Sequence, residues 1–136
     1  AAAKAAIKTQ WPGCWISDPE DMNWRELVHN LGSHEAVYSW VVANVDVVCV
    51  TEFNGFVGRG VYTEVEDARV QRKPCYVLRD GRFFEVRGQE LHEAGRDWKV
   101  RYGTLRVGTP IQAVAPSKVP QVQALATSTE QIVLDF

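Results

Sequence analysis

The stretch that decides the fold is Asn44–Leu78, NVDVVCVTEFNGFVGRGVYTEVEDARVQRKPCYVL. Val45, Val47, Val48, Cys49 and Val50 make an almost unbroken apolar, β-branched run, the pattern of a strand buried on both faces. Gly55, Gly58 and Gly60 interrupt it, and apolar spacing resumes at Val61, Val65, Ala68 and Val70. That is a helical stripe, with Thr63, Glu66, Asp67, Arg69 and Gln71 on its wet side. Lys73-Pro74 stops the helix and Cys75–Leu78 begins a second buried strand. Two strands joined by a helix of this length are expected to lie parallel. Ligands of such sheets bind beyond the carboxyl ends of the strands, where the glycine loop falls. Glu64 is expected there, on the first turn of the helix.

Beyond Leu78, Tyr76–Val86 reads as a hairpin, because Asp80-Gly81 is a preferred two-residue turn between alternating strands. Trp98–Val107 alternates as a further strand with a bend at Gly103. Gly108–Gln123 carries Pro110, Pro116 and Pro120 and reads as an extended arm, with a closing strand expected at Gln131–Phe136. Towards the amino end, Ser33 caps a helix whose buried stripe is Ala36, Val37, Trp40, Val41 and Ala43. Before it, a helix is expected to start at Asp18-Pro19, with Asp18 as cap, and to end at Gly32. The expectation is an α/β fold of Rossmann or flavodoxin-like type, a parallel sheet with a C-terminal antiparallel strand extension. Residues 11–108 form the domain, 1–10 a linker or disordered start, and 109–136 an extended C-terminal arm.

The totals agree with one soluble domain. The chain has 136 residues, 46% hydrophobic and 24% charged, with a formal net charge of −2. Charges of both signs are interspersed, which argues against a nucleic-acid partner, and no apolar run is long enough for a membrane span. Cys14, Cys49 and Cys75 lack CxxC spacing and read as reduced thiols of a cytoplasmic protein. His29, His34 and His92 stand at no metal-ligand spacing with them, so no metal is expected.

Asp46-Val47-Val48, Asn54-Gly55, Gly60-Val61-Tyr62-Thr63-Glu64, Ala68 and Lys73-Pro74-Cys75-Tyr76-Val77 together resemble the nucleoside 2-deoxyribosyltransferases and related nucleotide N-glycosidases. The resemblance covers only Asn44–Leu78. It implies that Glu64 attacks the anomeric carbon of a nucleoside or nucleotide as the base departs, with transfer or hydrolysis of the glycosyl-enzyme to follow. Asp46 would shape the site from the strand start or serve as a turn residue. Asn54, Gly55, Gly58, Arg59, Gly60 and Tyr62 would contact sugar, phosphate or base. No cofactor is implied, and the related enzymes commonly complete their sites across subunits, so a homo-oligomer is expected. Two features depart from the pattern: Val61 stands where threonine is common, and no Gly-Pro-type turn follows a first strand. Two other readings share the same scaffold, a nucleotide-binding or ADP-ribose-binding module without turnover and an assembly protein.

Overall fold

The computed structural model describes residues 2–18, 21–92, 101–112 and the backbone of 123–127. The fold is α/β, an open mixed sheet with helices on both faces. Strands β2 (Val47–Val50) and β3 (Cys75–Arg79) are parallel, with Val48 opposite Cys75 and Val50 opposite Val77. Helix α4 (Arg59–Val70) makes the crossover between them. From β3 the chain turns at Asp80-Gly81 (φ +50° and +74°) into β4 (Arg82–Leu91), which pairs antiparallel with β3 and with β5 (Gly103–Pro110). The positive φ at both turn residues is what the Asp-Gly dipeptide supplies.

On the other flank of β2 lies β6 (Gln123–Thr127), parallel both to β2 and to the short edge strand β1 (Trp15–Ser17). The strand order is therefore β1-β6-β2-β3-β4-β5. Five residues of the expected C-terminal arm thus lie inside the sheet. The strand expected at 131–136 lies outside the described residues, as do residues 98–100 of the strand expected at Trp98–Val107.

The N-terminal boundary is also corrected. Ala2–Gln10 is a helix, α1, whose Ile7 is 1% exposed and shares a buried cluster with Trp11, Val47, Cys49 and Phe83. Ile7 is its fully buried anchor, with Ala6 packed beside it, and alanine carries no helix penalty. Asp18 is not the cap of the helix at Trp24–Leu31. It is buried beneath α1 and meets Lys4 Nζ at 2.9 Å, while Asn23 caps α2 (Trp24–Leu31) by accepting from the Glu26 N–H at 3.2 Å. Gly32 at φ +98° ends α2 and Ser33 caps α3 (His34–Ala43), both as the sequence suggests.

Alternation along β2 builds two cores. Val47 and Cys49 face α1, whereas Val48 and Val50 join Val61, Val65 and Ala68 of α4 and Val37, Val41 and Val42 of α3. Helix α4 is bound to α3 at its far end, where Gln71 Nε2 donates to the Ser39 carbonyl at 3.0 Å. One turn earlier on the same face, Asp67 Oδ2 is buried with no hydrogen-bond partner among the described residues. Burial, and after it the charge of Glu66, pushes the Asp67 carboxyl above its ordinary range.

The sign of that shift gives a test. A proton held more tightly in the folded state favours folding in acid and is lost to stability as pH rises through the folded pKa. Ionised Asp67 therefore weighs against folding near neutrality. Asp67→Asn is expected to raise Tm at about pH 7 and to change it little at about pH 3, where both states are protonated. Thermal melts of the two proteins at both values check this.

Candidate functional site

The carboxyl end of β2 leads into residues 51–58, which fill the rim above the sheet. Phe53 and Phe56 exchange two backbone hydrogen bonds, 2.8 and 3.0 Å, around Asn54 (φ +51°) and Gly55 (φ +82°). These two residues form a tight two-residue turn, exposed to solvent. Their identity is explained by the turn itself. Gly58 follows as the N-cap of α4 and brings no side-chain oxygen to the first N–H groups of the helix. Gly60 is buried in the first turn, and Arg59 points outward to Glu35 of α3 at 3.9 Å.

Glu64 is the sixth residue of α4 and so lies on its second turn, not its first. With a rise of about 1.5 Å per residue it stands about 7–8 Å below the helix start, beyond the reach of the terminal dipole. It is 1% exposed and faces the sheet among the valines. Its charge reaches the thiol of Cys75 at the start of β3, which burial first and Glu64 second push up to about 12. Cys75 is a neutral core thiol at physiological pH, and Cys49, raised by its own burial, is another.

The other carboxylate of the rim, Glu52, is held in a fork by Arg79, with Nε–Oε1 at 2.6 Å and Nη2–Oε2 at 2.7 Å. A carboxylate neutralised by a bidentate guanidinium is a poor partner for two-carboxylate chemistry with Glu64. Asp46 precedes β2 and is exposed at the amino end of the strand. It therefore stands at the opposite end of the sheet from the loop at Asn54–Gly60, and the backbone does not bring the two together.

The structure adds residues to the rim that the sequence did not single out. Strand β4 is ten residues long and β3 five, so β4 runs on past β3 paired only with β5. Register irregularities between Phe84 and Gly88 let this ribbon curl back across α4. Gln89 Nε2 donates to the Tyr62 carbonyl at 2.8 Å, and Val57 and Gly103 pair through backbone hydrogen bonds of 2.9 and 3.1 Å. The ribbon tip places Tyr102 edge-on to Tyr62 at 5.2 Å and His92 edge-on to Phe56 at 5.7 Å, with Arg101 over the Phe56 ring at 5.8 Å. His92 Nε2 and Thr104 Oγ1 are 2.8 Å apart. A signal was available in the sequence: Gly88, Gly103 and Gly108 are unusual inside strands and mark bulges and close approaches.

Among the described residues no group of three His, Cys, Asp or Glu is placed to hold a metal ion, and no helix is long and apolar enough to cross a membrane. Gly103 is the hinge point of the rim, because a Cβ there would lie 2.6 Å from the Tyr62 ring and 2.8 Å from the Glu90 carbonyl oxygen. Gly103→Ala is expected to cost about 1–3 kcal/mol of stability in urea titration. It should also speed hydrogen exchange at the Val57 and Tyr102 amides, which close the tip. Compared with protein-family models, curated proteins and solved structures, the chain finds no match.

Proposed function

We propose that the chain cleaves the base–sugar bond of a nucleoside or nucleotide in the manner of the deoxyribosyltransferases and nucleotide N-glycosidases, on a Rossmann-like βαβ unit, with Glu64 as nucleophile. One observation carries the reading: Glu64 is wholly buried within a valine-rich core. Even a partnered buried carboxylate carries a desolvation cost that an apolar residue of similar size would spare the fold. The glycine-capped start of α4 and the aromatic residues of the rim, Phe56, Tyr62 and Tyr102, would receive the sugar, phosphate and base above it. Three unpaired cysteines fit a reducing compartment such as the cytoplasm.

Glu64→Gln keeps the shape of the side chain and removes the nucleophile. Wild-type protein incubated with a panel of nucleosides and 5′-monophosphates is expected to release free base, measured by chromatography, and Glu64→Gln and Glu64→Ala to release essentially none. Equal release by wild type and variants would defeat the assignment. A second reading, a nucleotide-binding module without turnover, is favoured by the enclosure of the same carboxylate, which leaves a sugar no direct approach in this conformation. Calorimetric binding of a monophosphate by wild type and Glu64→Gln alike, with no base released by either, would establish it.

The same reading has the enzyme working as a homo-oligomer. Trp15, 71% exposed on β1, which is an edge strand among the described residues, supports this, since a large aromatic beside such an edge suits a second copy. Sedimentation at micromolar concentration should give a mass above that of one chain, and Trp15→Glu should lower it.

A further inference from the structure

The curl of β4 across α4 leaves a space of its own, distant from the glycine-capped end of the helix. It is a cavity of about 400 Å³ between the last turns of α4, the start of β3 and the bend of β4. That volume lies in the range of small-molecule sites. Val65, Pro74, Cys75 and Val86 give it an apolar floor.

Cations line its rim. Of these, Arg69 is already taken by Glu66, whose Oε2 lies 3.0 Å from its Nη2, and that hydrogen bond holds the Glu66 carboxyl below its usual range. Arg87 is only loosely offset by Glu85 at 3.8 Å, and its guanidinium lies across Gly108 of β5, where any side chain would collide with it at 2.3 Å. Arg72 and Lys73 make no ion pair among the described residues. Gln89, whose amide nitrogen is spent on Tyr62 and Glu66, lines the same cavity with its Oε1 buried and unpartnered.

The backbone at the rim is a second and independent sign. Helix α4 ends in a Schellman-type cap: the Lys73 N–H bonds to the Ala68 carbonyl at 2.8 Å and the Arg72 N–H to the Arg69 carbonyl at 3.2 Å. The residue between must be left-handed, the position that glycine fills at least cost, yet it is Arg72 at φ +57°. The chain accepts local strain and places a guanidinium there.

We propose that this cavity is a binding site for a small phosphate monoester on a flat apolar body, its phosphate held by Arg72, Lys73 and Arg87, its body on the Val65–Val86 floor, and a hydroxyl or amine donating to Gln89 Oε1. Guanidinium and ammonium groups around one mouth repel each other until an anion joins them, and a phosphate takes forked hydrogen bonds from arginine. The apolar floor selects an ester over the free anion. Glu64 is not among the residues lining this cavity, and the site does not depend on base cleavage.

Phenyl phosphate is the minimal probe, with inorganic phosphate and phenol as its two halves, titrated by calorimetry into the full chain. Phenyl phosphate is expected to bind saturably and to raise Tm, more tightly than either half, and to weaken as salt rises. Arg72→Gly relieves the strained cap and should raise the Tm of the unliganded protein. The same change, alone or with Lys73→Gln, should weaken phenyl phosphate about 10-fold or more. The Gln89 side-chain amide resonance should shift on binding in wild type. Glu64→Gln should leave the affinity for phenyl phosphate and its dependence on Arg72 and Lys73 in place, which separates the result from any failure of the cleavage reading. No saturable binding up to about 10 mM overturns the site. So does an affinity that Arg72→Gly and Lys73→Gln leave intact. Inorganic phosphate binding as tightly as the ester overturns the proposed ligand class.

Discussion

Everything above the sheet depends on the parallel pairing of β2 with β3. Parallel neighbours cannot be joined by a tight turn, so the chain between Val50 and Cys75 must rise over the sheet and come back. Helix α4 fills that path and meets the strands through Val61, Val65 and Ala68, small or β-branched residues that keep the helix close. Because α4 is held there, the overhang of β4 and β5 has a surface to curl across. The rim at Phe56, Tyr62 and Tyr102 and the cavity at the far end of the helix are both by-products of that crossing.

The electrostatics follow from which side chains this geometry encloses. Glu52 and Arg79 leave the ends of adjacent parallel strands and meet as a fork, so the rim has one of its two carboxylates silenced by construction. Glu64 faces the opposite way, into the layer between helix and sheet, where its field helps keep the Cys75 thiol protonated. At the far end of α4, cations accumulate because the helix ends, turns and re-enters the sheet through Arg69, Arg72 and Lys73. Basic residues at that terminus also meet the negative end of the helix dipole.

Much of this was legible in the sequence wherever one residue type has one physical use. The β-branched run at Val47–Val50, the Asp80-Gly81 turn, the Gly32 stop and the Ser33 cap each correspond to an element found where expected. The glycine loop was read correctly as the link to α4, but Asn54-Gly55 proved to be a hairpin turn and Glu64 sat one turn deeper than its spacing suggested. Asp46 precedes its strand, as its place in the sequence indicates, and so stands at the opposite end of β2 from the loop. Least legible were the elements whose partners are distant in the chain. Ala2–Gln10 is docked by Ile7 with Ala6 and Lys4 beside it, contacts its alanine-rich sequence does not announce, and nothing in Gln123–Thr127 announces that it slots between β1 and β2. The ribbon's curl came from bulges, which glycines hint at without giving a direction.

That last placement reaches beyond the folded structure, into synthesis. Strands β1 and β2 are made early, and neither can pair with the other, because the strand that joins them is Gln123–Thr127. A growing chain therefore holds the core strand of its sheet with one edge open while more than seventy further residues are added. An open edge of valines and a cysteine is a template for the wrong neighbour. Sheets that wait on such distant partners close slowly and stay prone to aggregation meanwhile. Strand β6 acts as a keystone, and the nascent chain has reason to be shielded by a chaperone until it arrives.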